Sequence, residues 1–336
     1  MLYLSREEVF SLLAHDRCIE VCEETLKLQA SGEIQEVPRF QFNLDRGAWL
    51  RFMPAMIASK RLIGLRVYGG RPVRLMYLLW DAMDGTPLVM MEATAIRDMR
   101  TGCVGAIGAK YLARAESSRL AVIGSGRVAR NALIAHAQVR KLAHVKVFSP
   151  TKEHREAFAR ELGKRLNLEI EPTDTPEAAV QGADIVITGS SVNVVSKPAF
   201  HGAWLKPGMH LSALGGRAEL DEAAVTGASK IVVDCKAQFP TECRDVTPAV
   251  EKGLLTWDQM AELHEVVGGL RPGREGAEEI TLLRTVGTSL QDLQPAGVVY
   301  ALAKEKGIGK EMGDLFPSMP GGGPPVRPSA PPKASK

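Results

Sequence analysis

No apolar stretch in this sequence reaches the roughly 18–20 residues that a membrane-spanning helix needs, so a spanning segment is not expected. The first residues, MLYLSREEVFSLL, lack the basic region, unbroken apolar run and small-residue cleavage site of a secretory signal, and a cytoplasmic setting is the expectation. Cysteine is sparse and odd in number: Cys18, Cys22, Cys103, Cys235 and Cys243, without the paired spacing of a zinc site. Cys18 and Cys22 fall four apart on a predicted helix, so reduced thiols are expected and neither a disulfide framework nor a metal centre is. Aromatic residues make up 5% and the formal net charge is +3, with lysine and arginine interspersed among acids. There is no basic stripe interleaved with aromatics, which argues against a nucleic-acid partner and leaves arginine free to hold small anions.

What is present suffices for two cores: 336 residues, 45% hydrophobic and 24% charged. Residues 1–30 are expected to form one amphipathic helix, with Ser5 and Glu8 as a capping box and Val9, Leu12, Leu13, Ile19 and Leu26 at helical spacing. From 36 to 92 the pattern becomes short strands, VPRFQFNL, AWLRFMPA, LIGLRVYGG, VRLMYLLWDA and PLVMMEA, divided by turns bearing glycine. A helix over about 94–114 is rich in small residues and is expected to pack tightly against something planar. Residues 118–290 then alternate strands (RLAVIG, HVKVFSP, LEIEP, ADIVITGS, HLSALG, KIVVDC) with helical segments such as 128–141, 152–166, 176–181 and 220–227. That rhythm implies a buried parallel sheet with crossover helices. Helical segments at 258–268 and 289–305 follow, and the polar, proline-rich segment after Phe316 is expected to stay disordered.

At position 122 the chain reads VIGSGRVARNAL. Gly124-x-Gly126-x-x-Ala129 is a dinucleotide fingerprint ending in alanine: Gly124 permits the tight turn, Gly126 admits the diphosphate to the backbone amides, and Ala129 keeps helix and strand close. An ordinary strand–turn–helix is the competing reading, and the further βα units that follow favour the cofactor. The second strand ends in VFSPTKEHR, where a site that prefers NAD usually carries an acid. Ser149 and Thr151 offer neutral hydroxyls there, and Lys152 or Arg155 suits a 2′-phosphate, so NADP(H) is expected ahead of NAD(H).

Several blocks together resemble the ornithine cyclodeaminase/mu-crystallin family over about 1–316. They are Arg51-Phe-Met-Pro54, Arg100-Thr-Gly102, the Gly124 fingerprint, Ala183 to Thr188, Lys206-Pro-Gly208-x-His210, Glu219-Leu-Asp221, Val232-Val-Asp234, Thr285-Val-Gly287 and Gln291-Asp292. The resemblance implies a nicotinamide-dependent enzyme acting on C–N bonds of amino or imino acids, a homodimer joined through β-rich domains, and a substrate held between two domains. The implied fold class is α/β: a Rossmann-type NAD(P)-binding domain (118–289) inserted into a β-rich α+β substrate and dimerisation domain (1–117 plus 290–316), with 317–336 a tail. Arg100 matches the arginine that binds the substrate carboxylate, as a bidentate guanidinium can. Arg39 resembles an N-terminal substrate arginine, with Arg51 as the rival assignment, and Val286 is placed beside the substrate. Thr101, Gly124, Ser125, Gly126, Arg127, Val128, Ala129, Ser149, Thr151, Thr188 and Thr285 fall where the family contacts its dinucleotide, and Arg155 joins them as a cation suited to a 2′-phosphate.

Two departures shape the expected chemistry. Arg66 stands where the cyclodeaminases have the lysine of Gly-x-Lys, and Gly215-Gly216-Arg217 replaces the Gly-x-Asp that brings their catalytic aspartate. Arginine stays protonated whereas a buried lysine or aspartate can be tuned, so both changes remove proton-transfer groups. The expected activity is therefore NAD(P)H-dependent reduction of C=N bonds or amino-acid dehydrogenation, with Arg100 and Arg66 as catalytic arginines. The competing readings are an ornithine cyclodeaminase-type ammonia lyase and a non-catalytic carrier of NADPH and ligand like mu-crystallin. Arg66, Arg71 and Arg74 cluster with Tyr68 and Tyr77 on predicted strands, where part of the set would hold a second anionic group of the substrate and part face solvent. His210 is expected to be a satisfied strand histidine, Glu92, Glu219, Asp221 and Glu242 caps or surface charges, and Trp49, Phe52, Tyr68 and Trp80 core residues.

Overall fold

The computed structural model describes residues 1–43, 47, 49–70, 72–189, 198–215 and 218–316. Arg71, Gly216, Arg217 and the expected tail 317–336 lie outside the described residues. The first strands and helices are β1 (Leu2–Leu4), α1 (Arg6–Leu12), α2 (His15–Ala30), β2 (Ile34–Glu36), β3 (Phe40–Asn43), β4 (Trp49–Ile57), β5 (Leu62–Gly69), β6 (Arg74–Asp81), β7 (Pro87–Glu92) and α3 (Thr94–Leu112). A second series runs β8 (Arg119–Ile123), α4 (Arg127–Val139), β9 (His144–Phe148), α5 (Lys152–Leu166), β10 (Ile170–Pro172), α6 (Pro176–Val180), β11 (Ile185–Thr188), β12 (His210–Ala213) and α7 (Glu222–Thr226). It continues through β13 (Lys230–Val233), α8 (Phe239–Glu242), α9 (Val246–Glu251), β14 (Ala261–Glu262), α10 (Leu263–Val267) and β15 (Thr281–Arg284), before α11 (Leu290–Lys306) and β16 (Lys310–Glu311).

Two sheets result. The first, β16-β1-β7-β6-β5-β4-β2 with β3 on β4, is mostly antiparallel. The second, β10-β9-β8-β11-β12-β15-β13-β14, is parallel throughout. Parallel strands are buried on both faces, which is why RLAVI, IVIT and TLLR read as nearly unbroken apolar runs. After β15 the chain returns to the first sheet, where α11 packs on β4 and β5 and β16 pairs with β1. A Rossmann-type α/β unit is thus inserted into a β-rich α+β unit.

Three expectations change. The segment 1–30 is a strand and two helices: Ser5 and Glu8 do form the capping box, but Leu2–Leu4 pairs with β7, and Leu13 leaves the helix in extended geometry while staying buried. The segment 258–268 breaks because Ala261 pairs with Val232 before the Glu262–Glu265 capping box starts α10. Thr281–Arg284, unassigned from sequence, is a central strand between β12 and β13.

The small residues of α3 are explained by what they touch. A Cβ on Gly102 would lie 2.5 Å from the backbone nitrogen of Ala132 on α4, while Gly105 and Gly108 accommodate Leu214 and Leu283. Among the described residues no helix is long and apolar enough to cross a membrane. In a helix, Gly→Ala normally stabilises by roughly 0.5–1 kcal/mol. At Gly102 the backbone clash reverses the sign, and Gly102→Ala is expected to destabilise by about 1–3 kcal/mol, read as a lower urea midpoint at unchanged slope.

Candidate functional site

A cavity of about 800 Å³ opens at the carboxyl ends of β8, β9, β11, β12 and β15, where these meet β5 and the first turns of α3. The strand order reverses at β8 and β11, the position at which open parallel sheets hold ligands. Among the described residues five arginines line it, Arg39, Arg66, Arg97, Arg100 and Arg127, against one carboxylate, Asp98. Among the described residues no group of three or more His, Cys, Asp or Glu is arranged to hold a metal.

One part of the wall is built from the fingerprint. Gly124 adopts φ +121°, a conformation that side chains disfavour, and its N–H extends the β8–β9 ladder by donating to the Phe148 carbonyl at 2.8 Å. Gly126 caps α4 without any side-chain bond to the first-turn amides, and a Cβ built on it meets nothing within 4 Å. Free helix N-terminal amides beside open space fit the diphosphate of a dinucleotide. Ser125, Arg127 and Val128 join this wall, with Thr101, Ser149, Thr151 and Thr285. Ala129 and Thr188 sit beneath it, fully buried: a Cβ on Gly189 would come within 3.2 Å of the Ala129 nitrogen, and the Thr188 hydroxyl donates to Glu219 at 2.9 Å.

Arg155 is placed differently from the expectation. It is buried, donates to the Ser149 carbonyl at 3.1 Å and pairs with Asp174, so it braces the loop after β9 and does not face the cavity. Lys152 is exposed, and His154 occupies the wall in their place. Sequence reasoning missed His154 because it sought a permanent cation on that first turn.

The other part of the wall is cationic. On the inner face of β5, Arg66 donates to Asp292 at 2.5 Å, and Arg100 of α3 donates Nε to the other oxygen of Asp292 at 2.7 Å and Nη1 to Gln291 at 2.6 Å. All three charged groups are at most 4% exposed. Within this triad one carboxylate serves two guanidiniums and leaves one positive charge in excess, which the buried Asp234, bonded to the far end of Gln291 at 3.4 Å, partly offsets at Arg100; Arg66 Nε has no acceptor among the described residues. Burial pulls both arginines down; for Arg100 the Asp292 carboxylate outweighs it and the net direction is up, whereas Arg66, with Arg100 adjacent, stays lowered. Gly287, at φ +79°, lies so near that a Cβ there would stand 2.8 Å from Arg100 Nη2.

Arg39 spans the two units, donating to Gln238 at 2.5 Å, to the Val286 carbonyl at 2.6 Å and to the Gly287 carbonyl. Val286 and Gly287 are pinned from behind by Asp234, which accepts their N–H groups at 3.0 and 2.6 Å. Arg51 is not in the cavity wall: it pairs with Glu242 at 3.1 Å, donates to Gln41 at 2.5 Å, and supports Tyr68 at 3.2 Å. Tyr68, expected in the core, lines the cavity instead, because alternation along β5 puts it on the same face as Arg66.

Of the remaining candidates, His210 is a structural residue, buried between the hydroxyls of Thr281 and Ser212, both at 2.9 Å. Glu92 accepts from the Thr94 N–H and Asp221 caps α7, as expected, but Glu219 and Glu242 are buried members of polar networks and not surface charges. Arg74 is exposed. The residues sequence reasoning left without a role are Asp292, Gln291 and Asp234; each lay in a recognised block, but the partners that define them are tens to hundreds of positions away.

Removing the Asp292 charge leaves two buried cations facing each other. Asp292→Asn is expected to cost about 3–5 kcal/mol, measured by denaturant unfolding, with a loss of small-carboxylate binding as the arginines separate. An unfolding midpoint equal to that of the parent would contradict this placement.

Residues 1–307 match the family model described as ornithine cyclodeaminase/mu-crystallin. An alanine dehydrogenase of Archaeoglobus fulgidus is 32% identical, over 93% of this chain and 98% of that protein. Among solved structures, Thermococcus litoralis Δ(1)-pyrroline-2-carboxylate reductase in complex with NADH and L-proline superposes with a TM-score of 0.87, at 30% identity, over 93% of this chain and all of that one. An archaeal alanine dehydrogenase dimer with bound NAD gives 0.84, at 31% identity over 92% and 98%. With the cavity at its fold-determined place and nearly the whole chain aligned, this protein belongs to the ornithine cyclodeaminase/mu-crystallin family.

Proposed function

We propose that this protein is an NAD(P)H-dependent reductase of small carboxylated imines, working in reverse as an amino-acid dehydrogenase. The observation that carries the reading is the cavity itself: a dinucleotide turn and a buried Arg66–Asp292–Arg100 cluster with one positive charge in excess share one wall. The names of the relatives, an alanine dehydrogenase and a pyrroline-2-carboxylate reductase, support the same chemistry.

A bound reduced nicotinamide dinucleotide supplies the hydride. The first-turn amides of α4 and Arg127 hold its diphosphate, and Thr101, Ser149, Thr151 and Thr285 line its path. Arg100 and Arg66 receive the substrate carboxylate; their fixed fork geometry orients the α-carbon, and the dry surroundings strengthen the attraction. Arg39 fixes the Val286–Gly287 backbone that closes this end. The same excess charge favours the imino acid over a neutral imine.

NADPH is the preferred form in this proposal. Where an acid would bond the ribose 2′-hydroxyl, the wall carries Ser149, Pro150, Thr151 and His154. Residues 118–289 serve the cofactor, and 1–117 with 290–316 serve the substrate and a homodimer. The dimer surface is the outer face of the first sheet, where Tyr3, Phe40, Phe42 and Met76 are exposed. Five free thiols accord with the reducing cytoplasm. The lyase reading is less favoured because Arg66 replaces a tunable lysine, and a carrier would need no such charged substrate pocket.

The test is oxidation of NADPH by Δ1-pyrroline-2-carboxylate, Δ1-piperideine-2-carboxylate, and pyruvate with an amine. Turnover with at least one substrate is expected, with a higher kcat/KM for NADPH than for NADH. Arg100→Ala should lower kcat/KM by about 2–4 kcal/mol, roughly 30- to 1,000-fold, with cofactor binding retained. Absence of turnover on all of them, or ammonia release from ornithine without net NADPH consumption, would sink the proposal.

A further inference from the structure

Reducing a C=N bond requires a proton at nitrogen as well as a hydride at carbon. Of the titratable groups that line the cavity among the described residues, the five arginines are poor acids, and Asp98 is tied to Arg97 and Arg127. His154 belongs to the first turn after β9, on the cofactor side. The remaining group is a phenol.

We propose that Tyr68 is the acid that protonates the substrate nitrogen, a role that rests on the imine-reductase reading above. Its oxygen accepts from Arg39 Nη1 at 3.3 Å and from Arg51 Nη1 at 3.2 Å. Guanidinium has no acceptor, so both neighbours are donors, and the phenol proton points away from them. That proton has no acceptor among the described residues. Tyr68 follows Arg66 on the same face of β5, with the Arg66 guanidinium carbon 5.0 Å from the ring centroid. A substrate whose carboxylate sits on Arg66 and Arg100 therefore lies beside the hydroxyl.

The surroundings also stabilise what remains after the proton leaves. Arg51 from β4 and Arg66 from β5 lie over the ring, and Arg39, from the segment before β3, reaches the hydroxyl. Glu242 of α8 offsets part of that charge through its pairs with Arg51 and Arg39, and Trp49 and Leu75 contribute apolar walls. Burial would raise the phenol pKa, but the Arg39, Arg66 and Arg51 charges outweigh it and bring it below the usual tyrosine value. In the reductive direction hydride from the reduced nicotinamide reaches the imine carbon, and the C=N π pair moves to nitrogen and takes the Tyr68 proton. The Tyr68 O–H bond breaks, an N–H bond forms, nicotinamide is oxidised as carbon is reduced, and solvent reprotonates the phenolate.

Tyr68→Phe keeps the ring and its cation contacts and removes only the hydroxyl. Its kcat for imine reduction is expected to fall by about 10²–10⁴-fold, with KM for the imine changed by less than about threefold. A second readout needs no cofactor: alkaline titration of phenolate absorbance in the protein alone, parent minus Tyr68→Phe, should show one phenol titrating below the free-tyrosine value. Burial pushes Tyr77 and Tyr111 upward, out of that window. Raised KM with unchanged kcat would make Tyr68 a positioning residue and overturn the proposal, as would a difference titration at or above the ordinary value. If the parent reduces no imine at all, the functional reading fails and takes this role with it, whereas an active parent with an active Tyr68→Phe variant refutes Tyr68 alone.

Discussion

The Asp292 carboxylate accepts from two buried guanidiniums at once, and the architecture around the cavity follows from that demand. Arg66 comes from the middle of an antiparallel strand, Arg100 from the second turn of a helix, and Asp292 from the first turn of another helix reached only after the whole parallel sheet. Neither arginine is stable in an apolar interior without a counter-charge, since removing one partner of a buried pair costs several kcal/mol. The return of α11 to β4 and β5 supplies it, while Arg39, bonded to Gln238 and to the Val286 and Gly287 carbonyls, ties this β-rich unit to the parallel-sheet unit.

One carboxylate for two cations also sets the site's appetite. The cluster is held together yet remains positively charged, and Arg39 and Arg97 add to the field along the wall. Such a cavity suits anions at both ends, and the proposed function puts phosphates where the α4 amides are free and a carboxylate where Arg66 and Arg100 converge. Arg66, one of the two arginines proposed to hold the substrate, is also one of the three, with Arg39 and Arg51, that lower the cost of a phenolate at Tyr68, so the proposed binding and proton transfer share that charge.

Local patterns were legible in the sequence. The Gly124 fingerprint, most strands of both sheets and the capping box at Ser5 follow from spacing and from backbone rules that act within a few residues, whereas β1, β14, β15 and β16 did not show in it. The placement of Arg100 and Arg66 in one cavity was also expected, through a resemblance assembled from short blocks. What stayed hidden depends on long-range partners. Asp292 was a residue in a block until Arg66 and Arg100, 226 and 192 positions away, gave it a role. Arg155 looked like a phosphate ligand because sequence shows charge and not direction; Asp174 turns it aside. Tyr68 looked like core for the same reason, since a phenol on an alternating strand is buried on one face whether it packs or reacts.

The most direct test of the whole account is a structure of the ternary complex with a nicotinamide dinucleotide and a cyclic amino-acid product such as L-proline. The carboxylate is expected within hydrogen-bond distance of Arg100 and Arg66, the diphosphate on the Gly124–Val128 turn, and the ring nitrogen beside the Tyr68 hydroxyl. A carboxylate bound away from both arginines, with Asp292 still bridging them, would contradict it.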